Sequence, residues 1–149
     1  MSKRRVVVTG LGIVSPLGND LDSSWSGIVN GRSGIAPVTH FDASAMATWI
    51  AGEVKAFDPT LWIPPKDVKK MDAFIHYGVA ASLMAMRDAG LEVNDGNAER
   101  IGALIGSGIG GILGIEEQTI RYHEGGPRKI SPFYIPSTII NMLPGQISL

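Results

Sequence analysis

The chain has 149 residues, 44% hydrophobic and 18% charged, with a formal net charge of −1; this balance is that of a folded globular protein and excludes a disordered polyelectrolyte. A near-neutral charge gives no general attraction to nucleic acid or to an anionic membrane surface. With no cysteine among these residues, disulfides, thiolate zinc sites and a cysteine nucleophile are excluded within them.

The apolar run in "MSKRRVVVTG" is too short for a secretory signal, and no segment approaches the roughly 20 apolar residues that span a bilayer. A cytoplasmic location is the expectation. Val6 to Thr9 is a β-branched run ending at Gly10, the pattern of a strand buried on both faces. "GLGIVSPLGN" reads as a loop. A helix is expected from about Asn19, with Asn19 and Asp22 at N-cap and N3 spacing; Trp25, Ile28 and Val29 would form its buried face. Gly31 suits the residue just past the helix end, where φ is positive.

Between Ser33 and Pro65 the text is irregular, with one strand predicted around Ile50 to Val54. The strongest helix pattern follows, with Met71, Phe74, Ile75, Val79, Leu83 and Met86 recurring at three- and four-residue intervals. Gly78 and Ser82 lie on the same stripe and predict close packing against another element, and Gly90 is placed to stop the helix. Ile101 to Ile105 reads as a second buried strand and Ile112 to Tyr122 as a helix. "EGGPRKISPFYIPS" is a proline-rich loop, and Ser137 to Leu149 has helical character without a terminal cap. Alternating strands and helices imply a layered α/β fold. The high loop content and the uncapped end predict that part of the unit lies beyond Leu149.

The stretch "RIGALIGSGIGGILGIEEQ" carries six glycines and raises the question of its ligand. Two places fit a dinucleotide fingerprint loosely, "GLGIVS" at Gly10 and "GSGIGG" at Gly106. That mechanism brings backbone N–H groups and a helix N-terminus up to a pyrophosphate. The first lacks the third glycine and carries Pro16 and Gly18 before its helix. The second has no acidic residue after a following strand at the expected distance. Close packing of strand and helix is the plainer role for these glycines. Ile109, a bulky apolar residue in the middle of the turn, suits an apolar ligand better than a phosphate.

Five stretches in order, "RRVVVTGLGIVSPLGN", "GRSGIAPVTHFD", "KKMDAFIHYGVAAS", "RIGALIGSGIGG" and "GGPRKISPFYIPSTIINM", resemble the N-terminal part of the β-ketoacyl-[acyl-carrier-protein] synthase II family. The resemblance runs along nearly the whole chain. It implies a thiolase-like, layered α-β-α-β-α fold, of which residues 1–149 would be an incomplete N-terminal half, and a homodimer. It also implies fatty acid elongation by decarboxylative Claisen condensation of malonyl-carrier protein with an acyl-enzyme thioester. The family's nucleophilic cysteine, its two catalytic histidines and its supporting lysine lie after the segment matching Leu149. No catalytic residue is therefore expected in this chain, and the piece alone is expected to be inactive and poorly soluble. Two other readings remain: a non-catalytic half-unit that makes only acyl or carrier-protein contacts, and an oxidoreductase resting on the glycines alone.

Further site assignments follow from the same resemblance. Gly108 and Ile109 match the gate of the family's acyl pocket. Tyr134 and Ile135 match positions presented across the dimer interface to the neighbouring subunit's pocket; the family more often has Phe where this chain has Tyr134, so the added hydroxyl is expected to reach a backbone carbonyl or water. Lys66, Lys69 and Lys70 match basic residues used to dock the acidic acyl carrier protein. By spacing alone, the three lysines share one solvent-facing side at the start of the strong helix. No resident cofactor is implied, because phosphopantetheine arrives on the carrier, and no metal is expected. His40, His76 and His123 match none of the catalytic motifs and read as solvated surface residues without metal-ligand spacing.

Overall fold

The computed structural model describes residues 4–149. These fall into two compact units, one taking in the chain up to Asp58 together with Leu83–Leu91, the other Pro59–Ser82 together with Glu92–Leu149.

In the first unit, helix α1 spans Leu21–Val29. Its N-cap is Asp20 rather than Asn19: the extended Asp20 (φ −150°) turns its carboxylate back to accept from Ser23 N at 2.7 Å. Asn19 is used elsewhere, donating from Nδ2 to Lys55 O at 2.8 Å. The helix ends as expected, with Gly31 at φ +61°. Its buried face departs from the expected one. Ser24 and Gly27 are buried, while Trp25, Ile28 and Val29 are 62%, 54% and 65% exposed. The reason is the loop before the helix. Ser15 and Gly18 form a tight bridge, Ser24 Oγ donates to Gly18 O at 3.1 Å, and Leu17 lies against Gly27. Small residues face that loop because larger ones would not fit beneath it.

The strand expected at Ile50 to Val54 is shorter, with β1 (Ala36–Pro37) and β2 (Ile50–Ala51) pairing antiparallel in the register Ala36↔Ala51 and Pro37↔Ile50. Past β2 the side chain of Glu53 takes over the cross-links, accepting from Thr39 N at 3.0 Å, Thr39 Oγ1 at 2.7 Å and His40 N at 3.2 Å. Val6 to Thr9 is not a strand. Val6 is 93% exposed and no ladder partner runs beside the segment among the described residues. The chain is tied down just after it, where Leu11 N donates to Asp88 Oδ2 at 2.8 Å and a Cβ on Gly10 would come within 2.8 Å of Ala89 Cβ.

The expected long helix is α3, Ala73–Asp88, following a separate short helix α2 at Pro65–Val68. The part of α3 in the second unit buries Ile75, Val79 and Ala80; Gly90, which follows the helix at φ +60°, falls in the first unit. The helix after the glycine turn is α4, Ile112–Gly125, and two shorter helices follow, α5 (Tyr134–Thr138) and α6 (Met142–Ser148). The close packing expected at Gly78 is present: Leu143 of α6, 4% exposed, fills the space over Gly78, where a Cβ would lie 2.6 Å from Leu143 Cδ1. Ile101 to Ile105, predicted as a strand, carries no ladder among the described residues, and Leu104 is 99% exposed. A strand needs a hydrogen-bonded neighbour, and among the described residues neither of these two predicted strands has one.

Candidate functional site

All of the candidate site residues lie in the second unit. The glycine turn is built from its hydrogen bonds. Gly110, at φ +84°, donates to Ser107 Oγ at 3.1 Å, and Gly111 N donates to Thr138 O at 3.0 Å. Positive φ at Gly110 favours glycine for conformational reasons. Gly111 is required by space, since a Cβ there would sit 2.8 Å from Thr138 Cα and 2.9 Å from Asp72 Oδ2. Nothing crowds Gly108, and Ile109 is 64% exposed at the crest of the turn. An apolar side chain on a crest flanked by an uncrowded glycine has room to change rotamer without moving α4.

The turn sits on the C-terminal end of α5. Tyr134 opens that helix, with its N–H donating to Ser131 O at 3.0 Å and its carbonyl accepting from Ser137 Oγ at 2.8 Å and Thr138 Oγ1 at 2.9 Å. Tyr134 is half-buried, while its neighbours Phe133 and Ile135 are 45% and 57% exposed. The segment leading into α5 is anchored by the buried Gln118 of α4, whose Oε1 accepts from Ser131 N at 2.7 Å.

The lysines do not stand where their spacing placed them. Lys66 belongs to α2, Lys69 caps it, and Lys70 lies in the turn before α3, so the three are not one face of the long helix. The turn breaks the helical pattern because Pro64 and Pro65 start a four-residue helix that ends before Met71. Lys70 is also engaged: its Nζ donates to Asp67 Oδ1 at 2.7 Å and lies 5.9 Å from the centre of the Phe133 ring. The hydrogen bond from Lys70, with the charge of Lys66 adding to it, holds the Asp67 carboxyl below its usual range. Lys66 and Lys69 are exposed.

A cleft of about 320 Å³ joins part of this set, with Lys69, Asp72, Gln118, Arg121, Tyr134 and Ser137 on its walls. Ile109, Ile135 and Lys66 are not among its lining residues. Asp72 was not singled out by sequence, although an aspartate just before a periodic run is the usual sign of a helix start. Its carbonyl accepts from Ile75 N at 3.0 Å, while its carboxylate reaches Gly114 N at 2.9 Å. Tyr77 has its phenol pushed above the ordinary range by burial and by the Asp72 charge.

His76 is a correction. It is half-buried, with Nε2 3.0 Å from Val68 O, and so ties α3 to α2. His40 and His123 are exposed as expected, His40 lying 3.9 Å from Glu53 and His123 edge-on to Tyr122. Among the described residues, no three His, Asp or Glu side chains converge into a metal-binding group, and no helix is long and apolar enough to cross a membrane.

The family model of the β-ketoacyl synthase N-terminal domain matches residues 3–149. The chain is 54% identical, over its full 149 residues, to 3-oxoacyl-[acyl-carrier-protein] synthase 2 of Vibrio cholerae serotype O1, and 50% identical to the enzyme of that name from Coxiella burnetii. It spans 36% of the length of each relative. Among solved structures, the ishigamide ketosynthase/chain length factor superposes with a TM-score of 0.79 at 30% identity, covering 95% of this chain and 36% of that one. A ketosynthase solved in complex with its type II PKS acyl-carrier protein gives a TM-score of 0.77 at 26% identity, covering 98% and 38%. The architecture is thus the N-terminal part of the layered, thiolase-like ketosynthase fold, and the chain belongs to the β-ketoacyl synthase family.

Proposed function

We propose that residues 1–149 form the N-terminal portion of an elongating 3-oxoacyl-[acyl-carrier-protein] synthase of fatty acid synthesis, a cytoplasmic homodimer. The observation that carries this reading is 54% identity along all 149 residues to the N-terminal-domain part of a synthase of that name, of which the chain spans 36%. In this reaction a cysteine thiolate takes the acyl group from its carrier, releasing the carrier thiol. Malonyl-carrier then loses CO₂, and the resulting enolate attacks the acyl-enzyme thioester. The new carbon–carbon bond forms as the cysteine sulfur leaves. With no cysteine in residues 1–149, the nucleophile comes from outside them.

This portion contributes the entry route and the pocket. The exposed Lys66 and Lys69 meet the acidic carrier, Gly108 and Ile109 gate the acyl chain, and Tyr134 and Ile135 close the pocket of the neighbouring subunit. Exposed apolar side chains at Phe133, Ile135 and Ile140 support that last role, because an apolar surface of this kind gains by being covered.

The test is product formation from acyl- and malonyl-carrier protein. An intact synthase carrying this sequence releases CO₂ and a 3-oxoacyl product, whereas residues 1–149 alone yield none. Absence of condensation by the intact protein, with acyl-carrier binding retained, would favour a non-catalytic half-unit instead.

A further inference from the structure

Gly114 is the third residue of α4, and its N–H donates to Asp72 Oδ2 at 2.9 Å from a position 42 residues away in sequence. α4 has no capping side chain of its own, since Gly111 occupies its N-cap. The first N–H groups of a helix have no partner inside it and need an acceptor from elsewhere. Asp72 supplies one, and its negative charge lies at the positive end of the helix dipole.

The main chain of Asp72 does something else, accepting from Ile75 N and His76 N at the start of α3. One residue therefore starts one helix and caps another. The fit around the carboxylate is close. A Cβ on Gly111 would come within 2.9 Å of Asp72 Oδ2, and one on Gly114 within 3.1 Å of it and 2.9 Å of Thr138 Cγ2. Gly111 is also held by Thr138 O. Two clamps, Asp72 and Thr138, thus fix the start of α4 immediately after Ile109, while the side before Ile109 stays uncrowded at Gly108.

We propose that Asp72 is a positioning residue for the Ile109 turn: by capping α4 from outside, it holds the frame against which Ile109 moves and so sets how long an acyl chain the pocket admits. This rests on the reading of Ile109 as an acyl gate. Asp72 need not touch the substrate; it acts through the backbone of residues 111–114.

The test uses an intact synthase carrying this sequence, assayed with short and long acyl-carrier primers. Asp72→Ser keeps the main-chain carbonyl that accepts from Ile75 N and His76 N, but its shorter side chain does not reach Gly114. The long-to-short ratio of kcat/KM should shift by about fivefold, the scale of one lost helix cap. Asp72→Asn keeps an acceptor oxygen and should restore most of that ratio, which general loss of structure would not allow. Asp72→Glu, which moves the carboxylate by one methylene, is read in the same way should Asp72→Ser fail to fold. Equal losses on both primers, or an unchanged ratio, would overturn the proposal. Ile109→Phe is assayed in parallel. If it shifts the ratio while the Asp72 variants do not, only the role of Asp72 falls; if it does not shift the ratio, the gate and the role of Asp72 fall together.

Discussion

Leu143 of α6 occupies the volume over Gly78 of α3 where any larger residue would place its side chain. The two helices approach closely because glycine removes the Cβ that would hold them apart. Leu143, at 4% exposure, is among the few large side chains buried in this unit. Leu143→Ala should cost about 2–5 kcal/mol through lost burial and the cavity left behind. Gly78→Ala should cost about 1–3 kcal/mol by overpacking, although alanine is the better helix former. Thermal unfolding of an intact synthase carrying each change checks both. A stabilised Gly78→Ala protein would show that the contact is loose.

Glu53 makes the loop 39–53 sensitive to acid. Its carboxyl is held below the ordinary glutamate range, chiefly by the hydrogen bonds from Thr39, with His40 adding to them. A depressed folded pKa stabilises the protein above the unfolded value of about 4.3 and ceases to do so as pH falls through the folded value. The difference in Tm between the parent protein and Glu53→Gln should therefore be largest at neutral pH and shrink below about pH 4. A difference that is constant with pH would remove the carboxylate from this role.

The lysine cluster should act unequally. Lys70 is neutralised by Asp67 and lies against Phe133, whereas Lys66 and Lys69 are exposed. Charge reversal at Lys66 and Lys69 should raise KM for acyl-carrier substrates by about three- to tenfold, an effect that fades at high salt. Turnover of a small free thioester should barely change. Lys70→Ala should affect stability more than carrier KM, and equal losses on carrier and free substrates would discount the docking surface.

With Ile109 in the proposed gating role, Ile109→Phe in the intact synthase should reduce use of long primers by about tenfold or more while leaving short ones usable, because a larger side chain there would narrow the route for the acyl chain. The measurement is kcat/KM across a series of primer lengths. Equal kcat/KM at every length would discount the gate.

Ile135 is 57% exposed beside the half-buried Tyr134. If this segment crosses to a second subunit, Ile135→Cys should form an intermolecular crosslink to the partner in an intact dimer with a short bifunctional reagent. Ile135→Asp should weaken dimerisation by about tenfold or more, because an unpaired charge would be buried at the interface. A monomer–dimer equilibrium unchanged by Ile135→Asp would place the segment away from the interface.

The helices were legible in the sequence because their signals are local. The stripe from Met71 to Met86, Gly31 and Gly90 just past helix ends, and the start of α4 after the glycines all depend on neighbours within one or two turns. The order of the five sequence blocks also carried the family without any geometry. What local patterns could not decide was anything set by distant partners. Val6 to Thr9 and Ile101 to Ile105 have the composition of strands, but a strand exists only with a neighbour to complete its hydrogen bonds, and composition does not name that neighbour. The buried side of α1 went to Ser24 and Gly27 because a loop folds over them, and hydrophobicity alone pointed to Trp25, Ile28 and Val29. The lysine spacing suggested one helical face until Pro64 and Pro65 began a separate short helix. Asp72 is the clearest case: no local pattern gives it a partner, and only the tertiary structure brings its carboxylate to Gly114, 42 residues on, where the open end of another helix needs an acceptor.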